Sequence, residues 1–419
     1  MTSGRPAEGG GREAAPSPSR NPFASAGFAR WWLASLVAGT GVGIQAVTVP
    51  LFIRDRVEGD ARALAIAAAL IVQSLPGALL TLLGGTLADR VERRRILART
   101  YAIAALVSSA YVGLSAFDVR SIWPVFPLAA VVGFAGAFTN PARQSLLPQL
   151  VSRAQLQNGI ILGTMGFMAT LQFLGPTLGG LVAELRGLPS AFAAEVVLLA
   201  CGAAIFSRIR SEPPAPTGRS VLGDLADGVR YAARKPALRG LLLLATVPGL
   251  FFIGPFAVTI ALIVPDVFGA GDKWVGILWG CFGAGVVLGS LALTLRPLPR
   301  RGLAVCLSNL LGGAVLVLYG LSETLLVSAG VLVLWGLVAA VFINYVVALL
   351  QEHTEPRMMG RVMSMYSLVF FVAMPLGYGQ AGLVTSAFGL QTTLLASGLV
   401  AAAIGLACLL LLRPVRALA

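Results

Sequence analysis

One histidine, His353, stands in 419 residues, and only four cysteines accompany it. With a single histidine and cysteines scattered through the chain, no zinc or haem centre and no other cofactor is expected. Cys201, Cys281, Cys306 and Cys408 all fall inside apolar runs and read as small core residues, not as disulfides or ligands. Charge is scarce too. Only 12% of residues are charged, against about 25% in a soluble domain. With 57% hydrophobic residues, the chain reads as a polytopic membrane protein. It contains no Gly-x-x-x-x-Gly-Lys-Ser/Thr run, which argues against a fused ATPase, and no constellation for enzymatic chemistry. The net charge of +13 does not point to nucleic acid, because the basic residues are scattered between apolar runs.

What is present is a series of apolar runs. A bilayer core takes about 20 apolar residues per helix. On that rule the spans are 31–53, 63–88, 96–117, 122–139, 159–183, 188–206, 241–264, 275–294, 303–321, 325–350, 362–387 and 390–412. Backbone groups in lipid must be satisfied within each span, so all are expected to be helices. Residues 1–26 are rich in Gly, Pro, Ser and Arg and read as a disordered tail with no cleavable signal peptide. Two six-helix bundles follow at 27–206 and 241–412, separated by a linker at 207–240, with a short tail at 413–419. The linker opens on Ser211-Glu212-Pro213-Pro214, then offers Ser220 as a helix cap and Leu222, Leu225, Val229 and Ala232 on one face. An amphipathic helix on the membrane surface fits that pattern, as does an ordinary surface helix.

Basic residues set the orientation. With the N-terminus in the cytoplasm, only Arg54, Arg56, Arg62, Arg120, Arg186 and Lys273 of the 31 Lys and Arg fall in outer loops. That bias predicts cytoplasmic N- and C-termini in a cell inner membrane. The halves also repeat weakly. Leu174 to Val182 in span 5 matches Leu376 to Val384 in span 11, with the same spacing of Leu and Gly.

The densest charge cluster is Gly84-Gly85-Thr86-Leu87-Ala88-Asp89-Arg90-Val91-Glu92-Arg93-Arg94-Arg95, wedged between two apolar runs. From Gly85 to Arg94 it resembles the loop between the second and third helices of major facilitator superfamily transporters, Gly-x-Leu-Ala-Asp-Arg-x-Gly-Arg-Arg. Glu92 stands where that pattern has glycine. The run Asn140-Pro141-Ala142-Arg143-Gln144 and the run Gly360-Arg361-Val362 extend the resemblance to the branch of enterobactin exporters and macrolide-efflux-type drug:proton antiporters. It covers about residues 23 to 412 and implies an all-α fold of twelve transmembrane helices in two pseudo-symmetric six-helix bundles. It also implies a latch between the halves on the cytoplasmic side, in which Asp89 faces the start of span 11, with Arg90, Arg93, Arg94, Arg143 and Arg361 around it. Pro141 is expected to end span 4, with Arg143 at the cytoplasmic rim. The loop after span 8, ending Arg300-Arg301, is a degenerate second copy without an acid.

Two further signals concern coupling. Gly175-Pro176-x-x-Gly179-Gly180 in span 5 bends the helix, allows close approach of a neighbour, and resembles the fifth-helix motif of antiporters. Glu195 is the carboxylate placed well inside a span. It is either a proton carrier or a structural acid held by a polar neighbour. The family's usual acid in span 1 and arginine in span 4 are replaced by Val42 and Ala129. Spans 1, 4, 7 and 10 should line the substrate cavity, with Gln45, Gln73, Gln172, Trp279, Asn344 and Tyr345 as candidates. Few charges and many apolar groups there suit an amphipathic small molecule. The expected protein is a monomeric secondary transporter in the lipid bilayer that exports a siderophore or drug-like substrate in exchange for protons. A lysophospholipid transporter of the same fold and a non-transporting receptor or scaffold remain the alternatives.

Overall fold

The computed structural model describes residues 21–80, 92–211 and 230–418. Twelve helices in it are long and apolar enough to cross a bilayer. They are α1 (Ala26–Arg54), α2 (Ala61–Leu80), α3 (Arg93–Ala116), α4 (Val125–Gln149), α5 (Arg153–Arg186) and α6 (Leu188–Ser207) in the first half. The second half holds α7 (Pro236–Phe268), α8 (Lys273–Leu295), α9 (Arg301–Gly320), α10 (Leu325–Glu352), α11 (Pro356–Phe388) and α12 (Leu390–Leu411). No strand interrupts them among the described residues. Because the helices alternate in direction, the start of α1 and the end of α12 share one face, the terminal face.

Helix ends are fixed by ordinary capping chemistry. Ser25 accepts from Phe28 N–H at the start of α1, and Thr324 accepts from Val327 N–H at the start of α10. Ser152 and Gln155 form a capping box at the start of α5. Gly187 turns α5 into α6 at φ 81° and ψ 164°, and Gly389 turns α11 into α12 at φ 87° and ψ 169°. Each glycine follows its Leu/Gly run by the same interval, so the internal repeat extends to a shared turn conformation that favours glycine.

Several boundaries differ from the sequence-based spans. Residues 21–26 are not part of a disordered tail. Pro22–Ala24 form a short 3-10 turn, Phe23 packs edge-on against Phe28 and Trp32, and α1 starts at Ala26. Pro141 lies inside α4 and does not end it. One lost N–H is tolerated there, and the helix runs on to bury Ala142, Arg143 and Leu146. In α5 the turn before Pro176, Thr170–Leu174, widens to a π-helix, and in α7 Pro248–Ile253 does the same before Pro255. Both adjust the backbone beside a proline that cannot donate. The expected linker helix around Ser220 and Leu222 lies outside the described residues. The linker's end is seen to dock on the second half, where Lys235 and Tyr231 both meet Glu355.

Candidate functional site

Helix contact between the halves begins with what glycine leaves out. Gly175 and Gly179 face α1. A side chain on Gly175 would meet Thr40 O at 2.5 Å, and one on Gly179 would meet Ile44 Cα at 3.1 Å. Gly180, one residue on, faces the other half, where a Cβ would stand 2.8 Å from both Asp272 O and Gly276 N of α8. The motif therefore joins α5 to its own bundle on one side and to the partner bundle on the other. The α5–α8 seam continues inward through Thr177 and Gly280 to Gln172 and Gly283. The α2–α11 seam is built likewise, with Gly382 against Ala67 and Gly379 near Ile71. Close backbone approach of this kind is how helices associate in lipid, where hydrophobic burial gives no advantage.

Charge reinforces these seams at the face opposite the termini. Arg54 bonds Asp272 at 2.8 Å, Arg62 bonds Asp266 at 3.1 Å, and Lys273 bonds Glu184 at 2.6 Å. Glu184 also accepts the Lys273 backbone N–H at 2.9 Å. Among the described residues these are the three ion pairs that join the halves, and all lie at that face. Arg54, Arg62 and Lys273 are half of the six basic residues that stood out in the charge count. The acids beside them were the signal that pairing would follow.

Glu195 is wholly buried in α6. Its Oε1 lies 2.5 Å from the Ser108 hydroxyl of α3, which also contacts Ala104 O at 2.9 Å. Gln45 and Thr48 of α1 approach the carboxyl, but neither reaches hydrogen-bond geometry, and Oε2 has no hydrogen-bond partner. Gln45 Oε1 instead accepts from Gln73 Nε2 of α2 at 3.3 Å. The Gln45–Gln73 pair thus lies between the sealed carboxyl and α2, and Gln73 is half-buried. Ser108 gave no signal in sequence, because a serine in an apolar run is indistinguishable from a packing residue.

Arg143 departs from its expected place. It is buried, not at the rim, with its guanidinium 3.9 Å from the centre of the Phe167 ring of α5 and 5.9 Å from that of Trp31 of α1. Helix continuation through Pro141 turns it inward. Gln144, its neighbour, is exposed. Asp89 and Arg90 lie outside the described residues. Arg93 is half-buried at the start of α3. Arg94 bonds Glu92 at 3.0 Å and reaches toward the Ser207 and Ile209 carbonyls at 3.4 Å each. The Arg94 bond, with Arg95 beside it, holds the Glu92 carboxyl below the usual carboxylate range. The acid that replaces glycine therefore occupies two of the four arginines locally. Arg361 contacts Met358 Sδ at 3.5 Å at the start of α11.

The cavity candidates divide. Trp279 donates to Gln172 Oε1 across the halves at 3.3 Å, which brings two of them together midway along the α5–α8 seam. Trp279 also packs on Phe256, 5.1 Å between ring centres. Gln45 and Gln73 pair in the first half. Asn344 bonds Ser290 of α8 at 3.0 Å and is exposed. Tyr345 is buried, and its hydroxyl accepts from Leu298 N–H at 2.8 Å, so it anchors the α8–α9 loop.

Two six-helix halves, seamed by glycine at one face and related by an internal repeat, are the architecture of major facilitator superfamily transporters. Solved structures share it. The nucleoside transporter NupG superposes with a TM-score of 0.71 at 14% identity, covering 93% of this chain and 99% of that one. A bacterial homologue of the human lysosomal transporter Spinster, inward-facing and occupied, gives 0.69 at 16% identity over 90% and 95%. The chain belongs to the transmembrane secretion effector family, which it matches over residues 17–418. It is 29% identical over 388 residues to the multidrug efflux pump Tap of Mycobacterium tuberculosis, covering 87% of this chain and 88% of that protein. It is 24% identical over 371 residues to macrolide efflux protein A of Streptococcus pyogenes, covering 84% and 88%. The protein is therefore a multi-pass membrane transporter and not an enzyme.

Proposed function

We propose that the chain exports a small amphipathic molecule, siderophore or drug-like, across the inner membrane by alternating access, in exchange for protons. The observation that carries this reading is the closure at the face opposite the termini. Three ion pairs and two glycine seams hold the halves together at the face opposite the termini. The two efflux relatives support the direction. The distribution of Lys and Arg supports a cytoplasmic terminal face, so the closed face is the one away from the cell interior. Asp89, with Arg90, Arg93, Arg94, Arg143 and Arg361, forms the opposing latch that closes when the halves rock the other way. Glu195 carries the proton. It is buried, no described cation contacts it, and Gln45 and Gln73 lead away from it toward α2.

The test uses inverted membrane vesicles holding the full chain. A proton gradient, acid inside, should drive uptake of a lipophilic dye, and a protonophore should abolish it. Glu195→Gln should retain dye exchange without a gradient yet lose about tenfold or more of the gradient-driven rate. Full gradient-driven uptake in that variant would remove Glu195 from coupling, while uptake indifferent to the gradient in the wild type would remove proton exchange.

A further inference from the structure

Among the described residues Arg143 is a buried cation without an acid. It is 4% exposed, its Nη2 donates to the neutral Asn140 Oδ1 at 3.2 Å, and its Nε donates to nothing. The Tyr101 hydroxyl, the Trp31 indole N–H and the Ser35 hydroxyl are also buried and unpartnered. These groups belong to one place. Trp31, Tyr101 and the Arg143 neighbours Ala142 and Leu146 share a core cluster at the terminal side of the first half, and Ser35 lies one turn along α1 from Trp31.

Each group offers a polar hydrogen, and one group is charged. Buried donors left unpaired are costly, and a buried charge without a counter-charge is more so. The chemistry that satisfies several donors around a guanidinium is an oxyanion, which supplies negative charge and several lone pairs in a bidentate geometry. One wall of the site is only half-buried. Phe167 covers the guanidinium face from α5, is itself half-buried, and stands on the helix that carries Gln172.

We propose that Arg143, with Tyr101, Trp31 and Ser35, is a subsite for a carboxylate or phosphate group of the cargo, reached from the terminal face when Phe167 swings aside. This rests on the export reading above and narrows the cargo to amphipathic molecules with an acidic end. The same chemistry could be met by a carboxylate of the chain itself arriving in another state, in which case an acidic cargo gains nothing.

Rhodamine B and its ethyl ester share a ring system and differ by one free carboxylate. Their binding to the purified full chain in micelles is read by fluorescence anisotropy. The acid should bind about tenfold or more tighter than the ester. Arg143→Gln should bring that ratio close to one, Arg143→Lys should leave it partway, and Tyr101→Phe should lower it several-fold. Equal affinity for both dyes in the wild type overturns the subsite and leaves the export reading standing. A preference that survives Arg143→Gln also overturns it, because the acid is then held elsewhere. Binding of neither dye counts against both readings. If melting shows that Arg143→Gln fails to fold, the wild-type ratio and Tyr101→Phe decide.

Discussion

Gly180 shows how much a single missing side chain controls. Its Cβ would collide with backbone of α8, which cannot yield as a flexible side chain can. Gly180→Leu should therefore push the halves apart at the face opposite the termini while leaving each bundle folded. Cysteines replacing Arg54 and Asp272 would report this, crosslinking readily in the parent and at least about fivefold more slowly in the variant, the response to about 1 kcal/mol. Gly179→Ala tests the other side of the motif. It strikes α1 at 3.1 Å within its own bundle, so it should lower the melting temperature more than it alters closure. Individual residues were legible in unequal measure. Glycine spacing at 175–180 announced close packing. The burial of Arg143 did not show, because it depends on Phe167 and Trp31, which are distant in sequence. A charge two residues after a proline reads as a helix end when the chain is viewed locally.

At the scale of elements, the spans themselves were the most legible feature. The length and apolarity of a bilayer-crossing helix leave few alternatives. Their ends were not, since α4 runs through Pro141 and α7 begins at Pro236, where a first-turn proline costs nothing. The joint between linker and second half is electrostatic and open to titration. Arg357 and Lys235 hold the Glu355 carboxyl below the usual carboxylate range, while the Tyr231 hydroxyl and Glu355 hold the Lys235 amine above its ordinary value. The depressed acid contributes above its unfolded pKa and loses that contribution as pH falls through its folded one. The raised base contributes below its unfolded pKa and loses it as pH rises through its folded one. Docking should thus be tightest between about pH 5 and pH 10 and loosen on both sides. Limited proteolysis near Lys235 across pH is the measurement, and Glu355→Gln should flatten the acid limb.

For the whole molecule, the balance between closure and opening at the face opposite the termini is set by modest interactions. A partly exposed ion pair is worth about 0.2–1 kcal/mol, so one pair shifts the balance little. Replacing Arg54, Arg62 and Lys273 together with glutamine should move it by about 1–3 kcal/mol toward opening at that face. Accessibility of a cysteine placed at Thr177, on the seam, to a membrane-impermeant maleimide checks this. An unchanged labelling rate would mean that the glycine seams alone set the balance. The two-bundle plan could be anticipated from the linker and the weak repeat. Which face is shut could not, because that depends on residues more than 200 positions apart, such as Arg54 and Asp272.

Gly187 and Gly389 carry a history as well as a bend. Two turns of nearly the same dihedral angles, each following the same Leu/Gly run at the same interval, are the mark of one ancestral unit copied in tandem. That unit had six crossings. An even number returns the chain to the side on which it began, so two copies could be fused end to end without threading the junction through lipid. The later chain inherited a connection that never had to be apolar. The arginines and prolines between residues 207 and 236 could accumulate there at no cost to insertion.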